Sequence, residues 1–114
     1  MKKILILLIL LLVGCTSSTY TTISQVEAKK MMKEEKNYVI LDVRTKEEYA
    51  EGYIEGAINI PLDEIENTNK LKDKDQIIFV YCQSGRRSKE ASSKLVNLGY
   101  TNVYDIGGLN TWYE

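Results

Sequence analysis

The chain has 114 residues, 44% hydrophobic and 27% charged, the proportions of one small globular domain and not of a disordered or fibrous chain. Its 15 basic and 16 acidic residues nearly cancel, which speaks against nucleic acid as a partner. There is no histidine and there are two cysteines, so a cysteine–histidine acyl-transfer site lacks its base and a zinc site lacks its ligands; no metal and no cofactor is expected.

Lys2 and Lys3 precede an unbroken apolar run, Ile4 to Val13, followed by Gly14 and Cys15. That run is well short of the roughly 20 apolar residues needed to cross a bilayer, and its layout is that of an export signal. Leu12-Val13-Gly14-Cys15 resembles the lipobox of bacterial lipoproteins, in which the chain is cut before the cysteine and the cysteine is lipidated. Residues 1–14 are therefore expected to be removed, with Cys15 the lipid-bearing N-terminus and the protein held at the extracytoplasmic face of the cell membrane. An ordinary secretory cleavage within Thr16-Ser17-Ser18-Thr19 is the other reading of the same segment. Without Lys2 and Lys3, 13 basic residues stand against 16 acidic ones, a net charge of −3. Residues 15–19 then make a lipidated cysteine and a short polar tether, and residues 20–114 the folded domain.

Ser24-Gln25-Val26-Glu27 reads as a capping box opening a helix from Gln25 to about Glu35. Tyr38 to Val43 is an apolar run that includes an acid near its end, as expected of a buried parallel strand. A second capping box, Thr45-Lys46-Glu47-Glu48, opens a short helix that Gly52 can close. Ala57 to Ile60 is extended ahead of Pro61, and the charged stretch Asp63 to Gln76 should hold a helix and a loop. Ile77 to Tyr81 is the strongest strand and ends at Cys82. After the loop Gln83 to Arg87, Ala91, Leu95 and Leu98 mark an amphipathic helix from Ser88 to Leu98, stopped by Gly99. A last strand from Asn102 to Ile106 leads into Gly107-Gly108. Strands alternating with helices imply an α/β domain built on a parallel sheet.

The chemistry concentrates at Cys82-Gln83-Ser84-Gly85-Arg86-Arg87. A thiol between a strand and a helix start meets backbone N–H groups carrying about half a positive charge. With two arginines beside it, the thiolate form is favoured, and Gly85 lets the loop turn tightly around an anion. Such a thiolate can attack an electrophilic sulfur and hold the resulting persulfide without a separate base. If Cys15 is lipidated, Cys82 is moreover an unpaired thiol in a disulfide-forming compartment. A cysteine buried at a strand end for packing alone is the plain alternative.

Three stretches resemble the rhodanese, or thiosulfate sulfurtransferase, family. They are Leu41-Asp42-Val43-Arg44 with Glu48-Tyr49 and Gly52 to Pro61; Cys82 to Ser88; and Gly107-Gly108 with Trp112. The resemblance implies an α/β fold with a central parallel five-stranded sheet flanked by helices, and a persulfide on Cys82 that passes sulfane sulfur from a donor such as thiosulfate to a thiol, to cyanide or to a protein acceptor. By the same resemblance Gln83, Ser84, Gly85, Arg86 and Arg87 bind the donor. Asp42, Arg44, Glu48 and Ser88 give structural support, with Arg44 and Glu48 read as a solvated charge pair. Tyr53 stands where the family often has histidine. Two rival functions are a lipid-anchored redox or persulfide-carrier module and a cysteine phosphatase. The phosphatase reading is disfavoured because an arginine six positions after the cysteine would be required, and Ser88 stands there.

Overall fold

A computed structural model describes residues 19–113; the signal segment, Cys15 and Thr16 to Ser18 of the tether lie outside the described residues. Five strands make one parallel sheet in the order β1-β5-β4-β2-β3: β1 (Thr21–Thr22), β2 (Tyr38–Asp42), β3 (Ile58–Asn59), β4 (Ile77–Cys82) and β5 (Asn102–Gly108). The α-helices are α1 (Gln25–Glu34), α2 (Lys46–Ala50) and α3 (Arg86–Asn97), with 3-10 turns at Leu62–Asn67 and Leu109–Thr111.

The central strand explains why its sequence is apolar at every position. Successive side chains point to opposite faces, and both faces are covered. Ile78, Val80 and Cys82 enter a core with Leu41, Val43, Ile65, Leu95 and Val103, whereas Phe79 and Tyr81 enter a second core with Ala28, Ile40 and Ile106. Each fully buried aliphatic or aromatic chain of this kind contributes about 1.5–3 kcal/mol.

The helix starts follow from their caps. Both arms of the box at α2 are made, Thr45 Oγ1 accepting from the Glu48 amide at 3.1 Å and Glu48 Oε1 accepting from the Thr45 amide at 3.1 Å. At α1 only the serine arm forms, the Glu27 amide donating to Ser24 Oγ at 3.0 Å. The third helix begins at Arg86, two residues before the expected Ser88, because Gly85 in the left-handed region ends the loop there. Its buried seam is Ser88, Ala91, Ser92 and Leu95, while Leu98 is exposed. Small serines let α3 sit close to the sheet, and the apolar seam ends one turn early. Between Asp63 and Gln76 the helix is a single 3-10 segment, and β5 runs through Gly107-Gly108 instead of ending at Ile106.

Candidate active site

Parallel strands bring their C-terminal ends to one edge of the sheet, and there Asp42, Cys82 and Asp105 gather. Asp42 lies opposite Tyr81 and Asp105 opposite Val80 in the register, so two fully buried carboxylates flank the end of β4. The Cys82 side chain is buried at the strand end, and the chain then turns through Gln83 and Ser84, both exposed, into α3.

Gly85 makes the turn possible. Its φ of +101° is strained for any residue with a side chain, and in that conformation its N–H donates to Cys82 Sγ at 3.0 Å. No side chain caps α3, whereas Ser24 and Thr45 cap α1 and α2. The first-turn amides of α3 have no partners within their own helix, and the helix begins four residues after the sulfur-bearing Cys82. Arg86 is exposed at this helix start and has no ion-pair partner among the described residues.

Arg87 is placed differently from its neighbour. Its guanidinium makes a two-pronged pair with Glu48, at 2.7 and 3.0 Å, joining α3 to α2. The hydrogen bonds from Arg87 pull the Glu48 carboxyl from 4.5 down to about 2. The expected Arg44–Glu48 pair is therefore replaced by two others, Arg87–Glu48 and Arg44–Asp42. The physical reason is burial. Arg44 is only 3% exposed, and a guanidinium so enclosed needs the buried Asp42 and not a surface glutamate.

The Arg44 site is fully bonded. Nη2 donates to Asp42 Oδ2 at 2.7 Å and to the Gly52 carbonyl at 2.6 Å, Nε donates to both Asp42 oxygens at 3.1 Å, and Nη1 reaches Gln83 Oε1 at 3.3 Å. Tyr81 donates its hydroxyl to Asp42 Oδ2 at 2.7 Å and accepts from the Ile54 amide at 3.1 Å. Burial, with Asp42 beside it, holds the Tyr81 phenol above its usual range. Arg44, Glu48, Glu51, Gly52, Gln83 and Leu109 line a small recess beside the loop.

Gln83 is held from the other side as well, its carbonyl accepting from the Asn110 amide at 3.1 Å. A Cβ on Gly108 would lie 2.3 Å from that carbonyl oxygen, so only glycine allows β5 to pass so close. Tyr53, half exposed, stacks on Tyr49 with ring centroids 4.1 Å apart, at the surface and not in the cradle. Trp112 packs against the second core with Lys29 over its ring.

Ser88 and Asp105 complete the site. Ser88 Oγ lies 2.7 Å from Asp105 Oδ1 and 3.0 Å from the Gly85 carbonyl. Asp105, Tyr81, Asn110 and Gln25 were not among the residues singled out from sequence. Gln25 Nε2 donates to the carbonyls of Ile106 and Gly108, at 2.9 Å each, pinning the end of β5 to α1. An acid inside the apolar run Val103-Tyr104-Asp105-Ile106 was the one signal available for Asp105. Tyr81 read only as strand, and nothing local marks Gln25 or Asn110.

The arrangement is a strand-end thiol that accepts a backbone N–H from Gly85 at the start of α3, a setting able to hold negative charge on sulfur. The sequence matches the Rhodanese-like domain family over residues 24–114. It is 42% identical over 71 residues to thiosulfate sulfurtransferase PspE of Escherichia coli, covering 60% of this chain and 68% of that one. To thiosulfate sulfurtransferase GlpE of Coxiella burnetii it is 34% identical over 94 residues, covering 82% and 87%. A rhodanese-like domain protein from Staphylococcus aureus superposes with a TM-score of 0.73 at 35% identity, covering 82% of this chain and 92% of that structure. The chain belongs to the rhodanese-like domain family.

Proposed function

We propose that the protein is a rhodanese-type sulfurtransferase that carries sulfur as a persulfide on Cys82. The observation that carries the reading is the Gly85 N–H donated to Cys82 Sγ at 3.0 Å, at the start of a helix without a side-chain cap. Relatives named as thiosulfate sulfurtransferases support it.

In the first half-reaction the Cys82 thiolate attacks the outer sulfur of thiosulfate. An S–S bond forms to Cys82, the S–S bond of the donor breaks, and sulfite departs with the bonding pair. Cys82 persulfide carries the negative charge that the thiolate carried before. In the second, a thiophilic acceptor such as cyanide takes the terminal sulfur, giving thiocyanate and returning the Cys82 thiolate. No proton transfer is obligatory, which suits a chain without histidine. The Gly85 amide and the α3 start stabilise the anion throughout, and Arg86 favours an anionic donor. The phosphatase alternative is weakened because Arg87 is engaged by Glu48 and Ser88 by Asp105, so neither is disposed to clamp a phosphoryl group.

The test is intact mass of the purified protein before and after thiosulfate, with cyanide added last. Gain of one sulfur on the peptide holding Cys82, then its removal by cyanide, is the expected result. Gain without removal would point to carriage without turnover. No gain with any sulfane donor would overturn the reading, as would wild-type transfer by Cys82→Ser.

The setting is a further part of the proposal: a lipid on Cys15 tethers the domain at the extracytoplasmic face of the membrane. Lys2-Lys3, the apolar run and the Leu12 to Cys15 sequence support it. Cys15→Ser should move the protein out of the membrane fraction; unchanged fractionation would refute lipid anchoring.

A further inference from the structure

We propose that Asp105 is a positioning residue for sulfur transfer, fixing through Ser88 and the Gly107 amide the Gly85 backbone that presents its N–H to Cys82. The proposal rests on the reading of Cys82 as the sulfur carrier.

Asp105 is fully buried on β5, in a strand whose neighbours are apolar. A carboxylate there is costly to desolvate, and an apolar residue would pack at least as well if the position served only the core. Four donors converge on it instead. Oδ1 accepts from Ser88 Oγ at 2.7 Å and from the Gly107 amide at 3.1 Å, and Oδ2 from Lys89 Nζ at 2.8 Å and Thr22 Oγ1 at 3.4 Å. These come from α3, from β5 itself and from the edge strand β1. Burial alone would raise the Asp105 carboxyl, but Lys89, Ser88 and the Gly107 amide outweigh it and hold the group below its usual range.

The same contacts lead to the sulfur. Ser88 Oγ is also 3.0 Å from the Gly85 carbonyl, so its single hydroxyl proton is shared between that carbonyl and Asp105, and Asp105 sets where the Ser88 oxygen stands beside the residue that donates to Cys82. Gly107, whose amide Asp105 binds, forms the wall against Gly85: a Cβ on Gly85 would lie 3.6 Å from the Gly107 Cα. Asp105 thus fixes the turn from inside the helix and from the facing strand, without being bonded to the sulfur. Lys89 balances its charge from a half-exposed position.

The test compares Asp105→Ala, Asp105→Asn and Ser88→Ala in the full chain. Iodoacetamide alkylation of the peptide holding Cys82, at fixed pH and without sulfur donor, reads thiolate presentation. Thiosulfate–cyanide turnover reads kcat and KM, and circular dichroism reads folding. Asp105→Ala should slow alkylation and lower kcat by about ten-fold while KM for thiosulfate stays within about two-fold. Asparagine keeps an oxygen to accept from Ser88 and Gly107, so Asp105→Asn should restore most of both rates. Ser88→Ala, which removes the Ser88 contacts to both Gly85 and Asp105 but leaves the Gly107 amide bonded to Asp105, should fall between.

Folded Asp105→Ala with wild-type rates would overturn the proposal, as would an Asn variant no better than the Ala variant. If Asp105→Ala does not fold, wild-type rates in Ser88→Ala overturn it. If the wild type takes no sulfur yet alkylation follows the stated order, the sulfurtransferase reading falls and the positioning of Cys82 by Asp105 stands.

Discussion

Tyr81→Phe isolates the buried polar network beneath the site. The ring is fully buried and phenylalanine refills it, so the change removes one oxygen and opens almost no cavity. That oxygen donates to Asp42 Oδ2 at 2.7 Å and accepts from the Ile54 amide at 3.1 Å. A hydrogen bond to a charged group is worth about 1.5–3 kcal/mol, and a buried amide left unpaired costs about 1–3 kcal/mol. Asp42 keeps its bonds to Arg44, which places the combined loss near the lower part of that range, about 2–3 kcal/mol. For a domain of this size the melting temperature should fall by about 10–20 °C. Urea titration followed by Trp112, the single tryptophan, measures it directly. Tyr81 and Cys82 point to opposite faces of the sheet, so turnover of the folded variant should change little. A loss below about 0.5 kcal/mol with an unchanged urea slope would refute the claim that this hydroxyl holds the Asp42 network together.

Gly108→Ala places a Cβ 2.3 Å from the Gln83 carbonyl oxygen; since its own φ of −125° suits any residue, the expected loss of about 1–3 kcal/mol comes from displacing the loop, and turnover should fall with it. Full activity in a melted-and-recovered Gly108→Ala protein would show that the loop tolerates the shift. The two arginines should separate: Arg86→Ala raises KM for thiosulfate with an unchanged melting temperature, and Arg87→Ala lowers stability by about 1 kcal/mol through Glu48. Equal effects of both on KM would contradict that division. Glu48, drawn down to about 2, contributes stability that is complete above pH 4.5 and is lost as the pH falls through 2. The advantage of wild type over Glu48→Gln in a pH series of melting curves should therefore shrink across that interval, and a constant difference would rule the ion pair out as its source.

The parallel α/β architecture was legible because residues 38–41 and Ile77–Cys82 are apolar on both faces, a pattern that two-sided burial demands. The cysteine loop was legible because glycine and arginine follow a strand-end thiol within a few residues. Pairings across the fold were less so. Whether Arg44 meets Asp42 or Glu48, and Arg87 a ligand or Glu48, depends on burial, and nothing in the spacing of these residues reports it. Leu98 fitted the helical period yet is exposed, since α3 leaves the sheet before its last turn. Asp105 escaped notice because its donors come from residues 22, 88, 89 and 107, and only the closed sheet brings those together.

The bond from the Asn110 amide to the Gln83 carbonyl makes the end of the chain a gauge of the loop. Exchange of that amide hydrogen with solvent requires the bond to open, and opening it frees the backbone next to Cys82. A single protected amide, remote in sequence from the cysteine, would then record how often the cradle loosens. Its protection should rise when sulfur, or any anion, settles on the donors that hold the loop closed.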